Sequence, residues 1–330
     1  MSGWFHNSDC PVAEEPTPAA ASVLLVATDL SDLDRLMPFA FQLAHQGNSR
    51  LILLHVLAAT AEVTNEAHDL PLYDPAEALD HTSKSMHPWC EMARRQDLAC
   101  DALLREGQTA AQIAAAARQF HADRILLGSR SLGRLRRMTL GPVAEQVLRS
   151  VNLPVITVGP EAHLAVEASD HQRLIVHATT LRETSRPSAA LACQIAARSS
   201  ARLLLLHVLA PADETPRRAI MPSGELSLPL EEAAREKLSN LAKSLENEHS
   251  IQVDTQLVRG NPTIEILAAA ADRQAYMIIL GAQQNVSLET VTRDRTLYRV
   301  LTYARCPVLT LREGETEDAL QSTLPFAMQE

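Results

Sequence analysis

Between Gly128 and Gly141 the chain carries Ser129, Arg130, Ser131, Gly133, Arg134, Arg136 and Arg137, and Pro142 then opens a helical pattern. A loop of backbone N–H groups running into a helix N-terminus presents partial positive charge, an arrangement that holds phosphate. Glycine permits close approach and positive φ, a hydroxyl adds a donor, and arginine can grip phosphate through two N–H groups at once. These arginines gather positive charge in a chain whose net charge is −10. Phosphate recognition is the chemistry this stretch offers. The competing reading of the same arginines is a solvated loop paired with the domain's own acids.

Other groupings carry less. Ser129-Arg-Ser131-Leu-Gly133 approaches a nucleophile elbow, but Ser stands at 129 where that motif needs glycine. His68, Asp69, Asp74, Asp80 and His81 lie in a polar loop and an early helix without a spacing that forces them around a metal. His55 and His207 occupy the same place in two similar segments, which fits packing or a hydrogen bond to a neighbouring loop. Cys90 and Cys100, at a helix end and a strand, read as buried thiols, with redox sensing as the alternative. No catalytic residue and no metal ligand is assigned, and the chain reads as a non-enzyme.

The segments holding those histidines are part of a larger repeat. Arg50-Leu-Ile-Leu-Leu-His-Val-Leu-Ala58 returns as Arg202-Leu-Leu-Leu-Leu-His-Val-Leu-Ala210, an offset of 152 in 330 residues. Ala27-Thr-Asp-Leu30 matches Ala178-Thr-Thr-Leu181, Ala122 to Gly128 matches Ala275 to Gly281, and Pro154 to Val158 matches Pro307 to Leu311. The chain is a duplicated domain, so agreement between copies reports the fold and disagreement reports which copy keeps a site.

Each half is long enough to bury its own core. Apolar residues make up 46% and aromatic residues 3%, so the core must be built from Leu, Ile, Val and Ala, as in parallel sheets covered by helices. Residues 1–160 hold 13 Lys and Arg against 18 Asp and Glu, and the remainder 17 against 22. Neither half has the basic excess of a nucleic-acid binder. The five scattered cysteines contain no Cys-x-x-Cys pair, which suits a reducing cytoplasm. No apolar run is long enough for a membrane span, and Met1 to Pro18 does not read as a signal peptide.

Short apolar runs alternate with helical patterns. In the first unit the expected strands are 23–27, 51–57, 98–105, 124–127 and 154–158, with helices over 32–45, 75–95, 109–120 and 142–150. Gly47 ends the first helix, and Pro142 is tolerated at the start of the last. The second unit repeats this plan from Leu174 to Leu311. The expected class is α/β, a five-stranded parallel sheet between helices in each unit. Expected boundaries are a disordered lead over 1–21, domains over 22–158 and 173–312, a linker over 159–172 and a tail over 313–330.

Val26-Ala-Thr-Asp-Leu-Ser31, Leu-His-Val at 54–56 and 206–208, Arg105-Glu-Gly107, the 128–141 loop and Leu153-Pro-Val-Ile-Thr-Val158 together resemble the universal stress protein family in its tandem two-domain form. The resemblance implies a flavodoxin-like doubly wound sheet in each unit and, in part of the family, ATP with Mg at the sheet's carboxyl edge. It also implies that the fifth strands pair around a pseudo-two-fold axis, so that one chain mimics a dimer; further homodimerisation is not legible. Nucleotide-binding members carry Gly-x2-Gly-x9-Gly-Ser/Thr. Here Asp29 stands where the family's Asp sits and the loop reads Gly128-Ser-Arg-Ser131-x9-Gly141-Pro142. Ser131 replaces the second glycine and Pro142 the hydroxyl residue.

On that resemblance Ala27, Asp29 and Val56 hold base and ribose, and Gly128, Arg130, Ser131, Gly133, Gly141, Pro142 and Val143 hold phosphates. In the second unit Thr180 replaces Asp29 and the loop reads Gly281-Ala-Gln-Gln284-x9-Asp294-Arg295, leaving one glycine and a carboxylate where phosphate would sit. The reading is a non-catalytic stress-response module with an adenine nucleotide in the first domain and none in the second. The alternative is a nucleotide-free, partner-binding protein in which both loops have degenerated.

Overall fold

The computed structural model describes residues 22–57, 75–128, 141–164, 173–210, 227–283 and 295–313. The first unit comprises β1 (Ser22–Ala27), α1 (Leu33–Gly47), β2 (Ser49–Leu57), α2 (Pro75–Arg94), β3 (Cys100–Glu106), α3 (Thr109–Gln119), β4 (Arg124–Gly128), α4 (Pro142–Ser150) and β5 (Val155–Val158). The second comprises β6 (Leu174–Ala178), α5 (Arg186–Arg198), β7 (Arg202–Leu209), α6 (Ser227–His249), β8 (Val253–Arg259), α7 (Pro262–Asp272), β9 (Met277–Gln283), α8 (Arg295–Tyr303) and β10 (Val308–Glu313). The expected elements are all present. Their ends move by up to three residues, as at β9, expected over 277–280, which runs on through Gln283.

Local chemistry explains several boundaries. Asn48 ends α1 in a left-handed conformation, φ 46°, and its N–H donates to the carbonyls of Ala44 and His45. Gly47 meets a different requirement, since a Cβ there would stand 1.8 Å from the Arg124 guanidinium. In α7 the Asn261 side chain accepts from the N–H groups of Thr263 and Ile264, and Pro262 occupies a first-turn position where no N–H is needed.

All ten strands join one sheet in the order β3-β2-β1-β4-β5-β10-β9-β6-β7-β8. Every neighbouring pair is parallel except β5 with β10. Each unit is thus a five-stranded parallel sheet, and the fifth strands close the two into one. Because the strands are covered on both faces, alternate residues feed two cores. Leu24, Val26, Leu51 and Leu53 pack with α1, α2, α5 and α6. Leu25, Ala27, Ile52 and Leu54 pack with α3, α4, α7 and α8. Both cores run across the two units, as a two-fold normal to the sheet requires.

The joint is reinforced by side chains. The Phe39 and Tyr276 rings, one from each unit, lie 6.0 Å apart at 59°. The Arg173 guanidinium sits 5.4 Å from the centre of the Tyr276 ring. Arg312, at the end of β10, donates to Asn152 Oδ1 at 3.1 Å and to the Arg149 carbonyl at the end of α4. In the stretch after β5, the first residues of the expected linker are held in place. Arg35 Nη1 donates to the Gly159 carbonyl at 2.9 Å, and the His163 N–H donates to the Arg305 carbonyl at 2.8 Å.

Candidate functional site

In each unit the chain leaves β1 in one direction to build β2 and β3, then returns across to place β4 on the other side. That reversal opens a crevice outside the carboxyl ends of β1 and β4, the position at which open α/β sheets receive ligands. In the first unit the register sets Ala27 opposite both Leu54 and Leu127, so Thr28, Asp29 and Gly128 meet at this mouth.

Asp29 is exposed there, and its carboxylate makes no capping hydrogen bond. Its backbone is committed: the carbonyl accepts from the Asp32 N–H at 3.1 Å and from Thr28 Oγ1 at 3.2 Å. Ala27 is buried beneath it. Val56 is half-buried on the α3 and α4 side, opposite Arg105 of β3. His55 Nδ1 lies 3.0 Å from the Thr28 carbonyl, and His207 Nδ1 lies 2.8 Å from the Thr179 carbonyl. Both histidines therefore hold the turn after the first strand of their unit, which accounts for their repetition without chemistry.

Gly128 owes its identity to crowding. A Cβ there would lie 2.6 Å from Leu36 Cδ1, 2.9 Å from Asp32 Oδ2 and 3.1 Å from Thr28 Oγ1. Asp32 is buried at the start of α1 and faces Arg35 through two bonds, Nε to Oδ1 at 2.8 Å and Nη2 to Oδ2 at 3.1 Å. The fork neutralises a carboxylate beneath the crevice and leaves Arg35 Nη1 free to bind the chain after β5. Sequence reading missed this pair, although its i,i+3 spacing on a helix was visible.

Across the mouth stands the N-terminus of α4. Gly141 caps it in an extended conformation, φ −62°, and among the described residues nothing lies within 4 Å of where its Cβ would be. Its backbone needs no glycine, and the missing side chain leaves room on the side of the described residues. The helical ladder starts with the Glu145 N–H donating to the Gly141 carbonyl, placing the N–H groups of Val143 and Ala144 ahead of it. Pro142 occupies the first turn, is exposed, and contributes no N–H. Glu145, the acid of the first turn, is bound to Arg149. Arg130, Ser131 and Gly133, together with Arg134, Arg136 and Arg137, lie outside the described residues.

The second unit has the same crevice between β6 and β9 but a different turn. It carries one residue more between strand and helix: Ala178 answers Ala27, yet the buried series Leu33, Leu36, Met37, Phe39, Ala40 is answered one step later by Ser185, Ser188, Ala189, Leu191 and Ala192. The extra length is taken up where Leu181 adopts φ 57°, a left-handed conformation that costs a non-glycine residue about 1–2 kcal/mol. Thr180 Oγ1 lies 2.7 Å from Ser185 Oγ, so the hydroxyl that replaces the Asp29 carboxylate is engaged within its own turn. Asp294 lies outside the described residues, as does the Arg295 side chain.

The universal stress protein family model matches residues 22–159 and again 173–312. The chain belongs to the universal stress protein family. It carries two such domains in tandem, each doubly wound and flavodoxin-like, with a pseudo-dimeric arrangement inside one chain. A universal stress protein of Archaeoglobus fulgidus has a similar structure, with a TM-score of 0.63 and 19% identity over 89% of this chain and 97% of that one. A universal stress protein of Pseudomonas aeruginosa gives 0.57 and 16% over 89% and 94%. At these identities the likeness speaks for the fold. A universal stress protein of Methanocaldococcus jannaschii is 30% identical over 88 residues, 27% of this chain, which spans about half (51%) of that relative's length. Among the described residues, no helix is long and apolar enough to cross a membrane and no cluster of His, Cys, Asp or Glu could hold a metal ion.

Proposed function

We propose that this universal stress protein binds an adenine nucleotide, ATP with its Mg, in the first domain alone, and acts as a non-catalytic module. Asp29 accepts from base or ribose beside Ala27 and Val56. The N–H of Val143 and the open space over Gly141 receive the phosphate end, with Gly128 at the floor. Arg130, Ser131 and Gly133 belong to the same phosphate-binding stretch by their place in the sequence. Mg would be carried by the nucleotide's phosphates.

The difference between the copies carries this reading. In the first, an exposed carboxylate and a helix N-terminus whose capping glycine meets nothing within 4 Å among the described residues face one crevice; in the second, the corresponding hydroxyl is tied to Ser185. Pro142 sets the limit on affinity. A hydrogen bond to a charged group contributes about 1.5–3 kcal/mol, so losing both the N–H and the hydroxyl of the usual residue weakens phosphate binding by roughly two to four powers of ten.

The same proline favours the rival reading, a nucleotide-free protein that recruits a partner. Denaturing the purified full chain and analysing the supernatant by mass spectrometry separates the two. Release of adenine nucleotide from the wild type and markedly less from Asp29→Ala supports binding. Absence of nucleotide after purification in ATP and Mg favours the rival.

A further inference from the structure

Apart from the crevice, one pair of thiols among the described residues is brought together with no part in nucleotide binding. Cys90, near the end of α2, and Cys100, the first residue of β3, place their Sγ atoms 3.0 Å apart in the core. Both are free thiols and both are almost wholly buried, at 2% and 3% exposure. The turn between them is fixed by the Leu98 N–H donating to the Ala93 carbonyl at 3.0 Å and by Asp97 at φ 59°. Arg94 Nη2 reaches the Cys100 carbonyl at 3.5 Å.

We propose that Cys90 and Cys100 form an oxidisable dithiol that hydrogen peroxide converts to an intrachain disulfide. The Cys90 thiolate attacks one peroxide oxygen, the O–O bond breaks, and the other oxygen leaves as water after taking a proton. The resulting sulfenic acid is attacked by the Cys100 sulfur. An S–S bond forms, and the sulfenic oxygen leaves as a second water with the Cys100 proton. Two thiols lose two electrons and the peroxide gains them.

The surroundings suit that order of events. The hydrogen bond from Cys100 holds the Cys90 thiol below its ordinary pKa, with help from the Arg94 charge, whereas the same contact and burial push Cys100 up. Nucleophilic attack follows thiolate character, which assigns the first step to Cys90. Burial favours a small oxidant over a bulky disulfide. Entry is eased by Pro88, inside α2 two residues before Cys90, which has no N–H for the helical ladder. A helix weakened there can open locally without global unfolding.

The test is a peroxide titration of the folded full chain, followed by denaturation, alkylation of remaining thiols and non-reducing peptide mapping. The expected product links the Cys90 and Cys100 peptides, lighter by two hydrogens, and dithiothreitol reverses it. Cys193 and Cys306, also buried but with no sulfur partner among the described residues, should alkylate as in the untreated protein. In Cys100→Ala, Cys90 should instead be trapped as sulfenic acid by dimedone, which keeps the test independent of whether Cys90→Ala folds. Two results overturn the proposal. One is both thiols fully alkylated after peroxide has oxidised a free-thiol reporter in the same tube; the other is linkage through other cysteines.

Discussion

Ile156 of β5 lies directly opposite Leu309 of β10, and each is the other's counterpart in the repeat that pairs Pro154 with Pro307. A residue paired with its own copy marks the position of the pseudo-two-fold axis, and both side chains point into the core shared by α1, α2, α5 and α6. The ten-stranded sheet is thus closed through this pair, as the two halves of a symmetric dimer would be. Ile156→Ala and Leu309→Ala should each destabilise the chain by about 2–5 kcal/mol. Their effects should fail to add, by about 0.5–3 kcal/mol, because the residues face each other. Urea unfolding of the two single mutants and the double mutant checks this.

Gly128 and Gly141 should respond in opposite ways to the same change. Gly128→Ala drives a methyl into Leu36 and Asp32 and should cost about 1–3 kcal/mol, read as a lowered denaturation midpoint. Gly141→Ala has ordinary φ and meets nothing within 4 Å among the described residues, so stability should hold or rise by about 0.4–1 kcal/mol. Its methyl would occupy the room proposed for phosphate, so nucleotide affinity should fall while thermal stability does not.

Pro142→Ser restores a backbone N–H and a hydroxyl at the start of α4. ATP should bind more tightly, by roughly tenfold if one of the two groups is used and a hundredfold or more if both are. An affinity unchanged from wild type would mean that phosphate does not reach this helix end.

His177 gives the protein an acid limit. It is fully buried in β6, where Val26 stands in the first copy, and its Nδ1 lies 3.1 Å from the Ile279 carbonyl. Burial lowers its pKa from 6.5 to about 4. Above pH 6.5 the ring is neutral folded and unfolded, and the shift has no effect. As pH falls from 6.5 toward 4 the unfolded chain takes up the proton first. Stability then drops by about 1.4 kcal/mol per pH unit, roughly 3 kcal/mol in all. His177→Val should flatten that part of the stability profile, measured by urea unfolding between pH 7 and pH 4.

The duplicated strands made the fold readable from sequence, since Val23 to Ala27 and Leu51 to Leu57 are apolar on both faces and only a covered parallel sheet uses such runs. Asp29, Gly128 and Gly141 were legible as a candidate site because they sit at strand and helix ends. Three things were not. The Asp32–Arg35 spacing was visible, but not that Arg35 also holds the chain beyond β5, more than a hundred residues away. The Cys90–Cys100 contact depends on how α2 packs on β3. The step from 151 between Ala27 and Ala178 to 152 between Arg50 and Arg202 announces one extra residue, but not that a left-handed Leu181 absorbs it.

Calorimetric titration of the full chain with ATP and Mg, alongside Asp29→Ala and Thr180→Ala, tests the division of labour between the two copies most directly. Expected are one nucleotide per chain, binding weakened about tenfold or more by Asp29→Ala, and no change with Thr180→Ala. Two nucleotides per chain, no heat at millimolar ATP, or equal binding by wild type and Asp29→Ala would contradict it.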